Sequence, residues 1–164
     1  MTPRAAGMWT SALALALDQG SKLWLLFGFD IGARQLPIRL APFFDLTMAW
    51  NKGVSYSWFT AQSRWGWAAL VAVTLAATVF LGVWMWRATT TLAAVSLGLI
   101  VGGALGNLID RIAYGAVADF FHFHVGQFSW YVFNIADVAI VAGVAGLLYE
   151  SFLRRDEPGA ENSP

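Results

Sequence analysis

Cysteine is absent from this 164-residue chain, and charge is scarce, with 12% of residues being Asp, Glu, Lys or Arg. The first absence removes disulfides, thiolate metal sites and cysteine nucleophiles, and leaves the redox compartment open. The second argues against an ordinary water-soluble domain, because a surface of this size needs more charge to face water. Excess positive charge is missing too: ten basic residues balance ten acidic ones, which argues against a nucleic-acid partner held through its phosphates. No Gly-x-Ser-x-Gly elbow occurs, which weighs against a Ser–His–Asp nucleophile.

What is present is apolar. Hydrophobic residues make up 58% of the chain and mean hydropathy is +0.58. Nine tryptophans suit a membrane protein, since their amphipathic rings favour the headgroup layer. The stretch from Trp65 to Trp86 carries no charge, has tryptophans at both ends, and makes about 33 Å of helix at 1.5 Å per residue. Further spans are expected over about 92–109 and 137–153. The first, about 8–27, competes with a cleaved secretory signal suggested by Arg4 and "ALALAL". The apolar run resumes after Lys22 as "LWLLFGF", so an uncleaved helix is expected. Gly98, Gly102 and Gly106 recur every fourth residue, a smooth ridge for close helix approach.

The expected architecture is an all-α membrane protein with four transmembrane helices, a small outer-face β-sheet and a short surface helix. One membrane-embedded domain would occupy 1–155, with outer loops at 28–64 and 110–136 and a disordered polar tail at 156–164. The short connection around Arg87 and the Arg154–Arg155 pair favour cytoplasmic termini. "FFDLTMAWN" alternates with period two and reads as a half-buried strand, with "RQLPIRL" as an edge partner limited by Pro37. The surface helix is expected near Trp58 to Trp67.

Several polar residues stand where lipid-facing helix is expected. Asp18 and Lys22, four apart, share one face of the first span, and intramembrane charges usually face the protein interior. Asn107 and Asp110 share a face of the third, and Asp110–Arg111 alone would read as an interfacial ion pair. Asn134 and Asp137 in "NIAD" have the spacing of a capping box. Asp119 in "GAVADFFHF" changes that balance. Antiparallel helices ending about 8–10 Å apart would let the connection fold Asp119 over the gap, beside Asp137. Two carboxylates sharing one site of low dielectric share one proton: the ionised member activates water while the protonated member polarises a carbonyl. His122 and His124 point to one face of an extended "DFFHFH"; with Asp119 they suggest a metal site, but interfacial polar tips are the preferred reading.

With these motifs the chain resembles the lipoprotein signal peptidases (signal peptidase II) of bacteria, from about Asp18 to Ile140. The resemblance rests on "DQGSK", "NKG" with Asn51 and Gly53, "GNLIDR" with Gly106, "VADF", and "FNIAD" with Phe133 and Ala136. It implies an aspartyl endopeptidase of the bacterial inner membrane, acting near the outer face without metal or cofactor. Its substrate would be a diacylglyceryl-modified prolipoprotein, cut just before the lipidated cysteine, and the enzyme would be a monomer among membrane lipids. Asp119 and Asp137 match the catalytic pair. Asn51, Gly53, Asn107, Arg111 and Asn134 match positions that bind substrate or organise the site, and Asp18, Lys22, Gly106, Asp110, Phe133 and Ala136 match supporting positions. The chain departs from the family at Val54, Ser55 and Tyr56, and "HFH" is no family signature, so neither histidine receives a role. The rival readings are a small proton-coupled membrane transporter subunit, relaying protons through Asp18 and Asp137, and a packing subunit explained by the glycine ridge alone.

Overall fold

A computed structural model describes residues 1–53 and 64–155. The expected surface helix near Trp58 falls mostly outside these residues, as do Val54, Ser55, Tyr56 and the tail from Asp156. Among the described residues there are four long helices: α1 (Pro3–Leu23), α2 (Arg64–Arg87), α3 (Thr91–Tyr114) and α4 (Ile135–Arg155). Four strands, β1 (Ile38–Ala41), β2 (Phe44–Asn51), β3 (Val117–Val125) and β4 (Phe128–Ser129), form an antiparallel sheet in the order β1-β2-β3-β4.

Local chemistry sets the helix ends. The Thr2 hydroxyl accepts the Ala5 N–H and Pro3 occupies the first turn of α1, where its missing N–H costs nothing. The Thr90 hydroxyl does the same for Ala93 at the start of α3. That helix continues past the apolar stretch 92–109 and closes on Gly115, whose φ of 74° is cheap only for glycine and whose N–H reaches the Arg111 carbonyl. Asp110 and Arg111 are therefore helical residues. The connection expected at 110–136 begins as helix and continues as the nine-residue β3.

Among the described residues, three helices are long and apolar enough to cross a membrane: Arg64–Arg87, Thr91–Tyr114 and Ile135–Leu153. Of these α3 is central. Two thirds of its most apolar window is buried, whereas α2 and α4 turn Val73, Val79, Phe80, Val141, Leu148 and Phe152 outward. With no water to bury them from, such faces belong against lipid, and this is an integral membrane protein. In α1, Ala6, Ser11, Ala14, Asp18 and Lys22 turn inward and Met8, Trp9, Leu13, Leu17 and Leu23 turn out. Its polar inner stripe lowers its hydropathy below that of the other three.

The glycine ridge is where α1 docks. Gly98 meets the backbone of Gly7, Gly102 meets Ser11 and Ala14, and Gly106 meets Asp18, so α1 and α3 run parallel. On the other flank of α3, Gly103 meets Ala136 while Gly143 and Gly146 of α4 meet Ser96, an antiparallel contact. The ridge is thus covered by α1. A Cβ at Gly102 would overlap the Ser11 carbonyl oxygen, a backbone atom that cannot step aside. Gly102→Leu should therefore cost several kcal/mol, on the order of 3 or more. The readout is folded monodisperse protein recovered in detergent, expected to fall severely; normal yield and melting would remove this account of the ridge.

The period-two pattern of β2 holds only in part. Phe44, Leu46 and Met48 are buried or half-buried, but so is Asp45, at 6% exposure, and a register shift lies between Leu46 and Ala49. Asp45 is covered because His124 Nε2 lies 3.0 Å from its Oδ2. An apolar cluster of Leu25, Ile31, Leu46, Ala118 and Phe120 fixes the sheet to the end of α1.

Candidate active site

The end of α3, the start of α4, the last turns of α1 and the first half of β3 meet in one polar knot. Lys22 is at its centre, 2% exposed. Its Nζ is 2.9 Å from Asp18 Oδ2 and 2.8 Å from Asp110 Oδ2, and donates to Asn107 Oδ1 at 3.1 Å. Asp110 therefore pairs with Lys22 and not with its chain neighbour Arg111, which points elsewhere on the helix and donates through Nη1 to the Asn107 carbonyl. Gln19 gives its amide to Asp18, Asp110 and the Gly106 carbonyl at 3.0–3.2 Å. Gln19 lies inside the "DQGSK" stretch, but no role of its own is legible there.

This knot positions the two elements that carry the acid pair. Asp110 Oδ2 accepts the Ala118 N–H, one residue before Asp119. Asp18 Oδ1 accepts the Ala136 N–H, one residue before Asp137. Gly106 is required because any side chain there would overlap the Asp18 carboxylate. Phe133 pairs with Phe121 across a single antiparallel bridge and tilts its ring against it, which aims the entry to α4.

Asn134 and Asp137 do form the capping box. Asp137 N–H donates to Asn134 Oδ1 at 3.0 Å, and Asn134 N–H donates to Asp137 Oδ2 at 3.2 Å. Capping and site membership coexist, because each side chain keeps a free end. Asn134 Nδ2 donates to Asp119 Oδ1 at 2.6 Å and to Asn107 Oδ1 at 3.1 Å; Asn107 Nδ2 donates to Asp137 Oδ1 at 3.0 Å. Two amides thus bridge two carboxylates. Asn51, at the end of β2, also hydrogen-bonds Asp119, and its Oδ1 accepts the N–H of Gly53, whose φ of 95° makes the turn. Arg111 lies within electrostatic reach of Asp110, Asp119 and Asp137, and its buried Nε has no hydrogen-bond partner among the described residues. Every polar residue expected at the site is in this network.

The acids differ in setting. Asp119 is 2% exposed and Asp137 is half-buried. Burial raises the Asp119 carboxyl from 3.8 to about 6, and the charge of Asp137 adds to the rise, while hydrogen bonds from Asn134 and Asn51 oppose it. Near neutral pH this group can hold or release a proton, as acid–base chemistry needs. An apolar groove of about 350 Å³ opens beside Asp137, walled by Trp130, Tyr131, Phe133, Val138, Val141 and Ala145. A cavity of similar size among Trp84, Arg87 and Glu150 lies at the opposite end of the bundle, away from both acids.

The raised Asp119 carboxyl has a signature in stability. The folded protein holds this proton up to about pH 6, whereas the unfolded chain releases it near 3.8. Between those values the folded state binds more protons, so this group's contribution to stability falls as pH rises through the window and is constant above it. Plotted against pH over about 4–6, the unfolding midpoint should therefore have a more positive slope in Asp119→Asn than in wild type. Identical slopes would mean that Asp119 titrates at its ordinary value, and a proton shared with Asp137 would lose its physical basis.

His122 and His124 are not near this knot. Alternation along β3 turns them to the face opposite Asp119, and they cluster with Asp45 instead. The metal grouping with Asp119 that the sequence suggests therefore does not form.

Known proteins resemble this chain over most of its length. Residues 10–153 match the family described as signal peptidase (SPase) II. A lipoprotein signal peptidase of Beijerinckia indica subsp. indica is 60% identical over 152 residues, 93% of this chain and 90% of that protein. One from Nitrobacter hamburgensis is 58% identical over 158 residues, 94% of this chain and 96% of its own. A bacterial membrane enzyme solved by the in meso method at 2.3 Å shares the fold, with a TM-score of 0.74 at 21% identity, covering 98% of this chain and 95% of that one. With its acids, amides and Lys22 knot all inside the matched region, the chain belongs to the signal peptidase II family.

Proposed function

We propose that Asp119 and Asp137 are the catalytic pair of an aspartyl endopeptidase that removes the signal peptide from diacylglyceryl-modified prolipoproteins, just before the lipidated cysteine. The observation that carries this reading is the double amide bridge through Asn134 and Asn107, set beside an apolar groove. One carboxylate takes a proton from water, and the hydroxide formed attacks the scissile carbonyl carbon. The other, protonated, donates to the carbonyl oxygen. Collapse of the tetrahedral diol breaks the C–N bond: the proton taken from water goes to the leaving nitrogen, and one hydroxyl proton returns to the second carboxylate, restoring the pair. Asn51, hydrogen-bonded to Asp119, and Arg111, within electrostatic reach of both acids, bind the peptide backbone around that carbon in this reading.

In this reading α1 is the fourth span and its polar stripe faces only protein. Both termini lie in the cytoplasm, the sheet lies on the outer surface of the bacterial inner membrane, and the enzyme works as a monomer. A diacylglyceryl group leaves lipid at a cost of about 0.8 kcal/mol per methylene, so the acids must come to the lipid's depth. The groove along α4, open towards the lipid side, supports such a seat. The family assignment leaves the transporter alternative without support.

The test compares one precursor peptide with and without diacylglycerol on its cysteine. Without its lipid anchor the cysteine is no longer held at the depth of the acids. Misplacement of this kind costs on the order of 100-fold, so unmodified precursor should lose at least about 100-fold in kcat/KM. Equal rates would overturn the assignment of substrate.

A further inference from the structure

On the outer sheet, away from the acid pair, Asp45, His122 and His124 bring one ligand atom each to within 4.8 Å of one another. We propose that they form a binding site for a divalent transition-metal ion of the zinc class. Strand geometry builds the cluster. Asp45 of β2 lies directly opposite His122 of β3, and His124, two residues on, shares that face. His124 Nε2 is already 3.0 Å from Asp45 Oδ2, close to the separation of about 3.3 Å between ligands on a tetrahedral zinc ion. The rings of His122 and His124 are 5.3 Å apart.

A second, independent observation points to a cation ligand. Asp45 is 6% exposed, and its Oδ1 is buried with no hydrogen-bond partner among the described residues. Arg39 Nε is 3.9 Å away on a side chain 74% exposed, too distant to bond. A buried carboxylate oxygen without a partner is costly, and an ion held by both imidazoles would satisfy it. Two imidazoles and one carboxylate favour zinc, copper or nickel over calcium or magnesium, which prefer all-oxygen sites. Ser129 Oγ, 2.8 Å from His122 Nε2, stands at the rim, where it can orient that ring or a water completing the coordination. The ion would clamp β2 to β3, the strands whose other ends carry Asn51 and Asp119.

The experiment is Zn²⁺ titration of the full-length protein in detergent, with any affinity tag removed, followed calorimetrically; Co²⁺ absorption reports the coordination. Wild-type protein should bind one ion per chain with a dissociation constant in the micromolar range or tighter. His122→Gln and His124→Gln should each weaken binding at least about 10-fold, and the double variant should lose it. Both histidine variants should still cleave precursor, which shows that they fold. Asp119→Asn should bind Zn²⁺ as wild type does. Failure of wild type to bind stoichiometrically, wild-type binding by the double variant, or loss of binding in Asp119→Asn would each overturn the site.

Discussion

Replacing either Asp119 or Asp137 with asparagine should lower kcat/KM for a lipidated precursor by at least about 1000-fold, because no residual partner can supply the missing proton transfer. The two variants should differ in stability. In Asp119→Asn the new amide still offers an oxygen to Asn134 Nδ2, so that hydrogen bond survives. Asp137 uses both oxygens as acceptors, from Asn107 and from the Asn134 N–H. An asparagine there turns a donor towards a donor and weakens the cap, at about 1 kcal/mol. Activity loss with near-normal membrane insertion and yield identifies chemistry rather than folding. If either variant, shown by mass spectrometry to be free of deamidation, keeps more than a tenth of wild-type activity, the pair is misassigned.

Much of this site can be read from residues alone because its signals are local. Asp18 and Lys22 share a helix face by spacing, and the structure pairs them. Asn134 and Asp137 have capping-box spacing, and they cap. The ridge of Gly98, Gly102 and Gly106 announces a close helix contact, but spacing carries no information about which helix fills it. The less legible features are long-range. β3 is hidden because a strand beginning "VADF" buries both an acid and a phenylalanine, which breaks the alternation that marks a half-buried strand. Asp110 looks like the partner of Arg111 because they are adjacent, yet adjacent helical residues face different ways, and Lys22 from another helix takes the charge. Gln19 sits within "DQGSK" with no role assigned to it; its role exists only once α1 lies against α3. Asp45 reads as the polar side of β2, and is buried because a histidine 79 positions later covers it.

The Lys22 knot is the second place where one substitution should have a large effect. Lys22→Met would leave the carboxylates of Asp18 and Asp110 facing each other, both at most 1% exposed, with only the Gln19 amide between them. Removing one partner from a buried ionic cluster costs about 3–5 kcal/mol, which for a chain of this size lowers the melting midpoint by on the order of 10 °C. Catalysis should suffer as well, since Asp110 and Asp18 hold the backbone next to Asp119 and Asp137 respectively. Asp18→Asn and Asp110→Asn added to Lys22→Met should recover most of the lost midpoint, because the destabilising element is uncompensated charge, while activity recovers less, because the amides place the backbone less firmly. The measurement is a thermal unfolding series in detergent across the single, double and triple variants. A Lys22→Met protein melting within about 2 °C of wild type would show that the lysine does not neutralise the buried acids, and that the frame holding β3 and the start of α4 is set by something else.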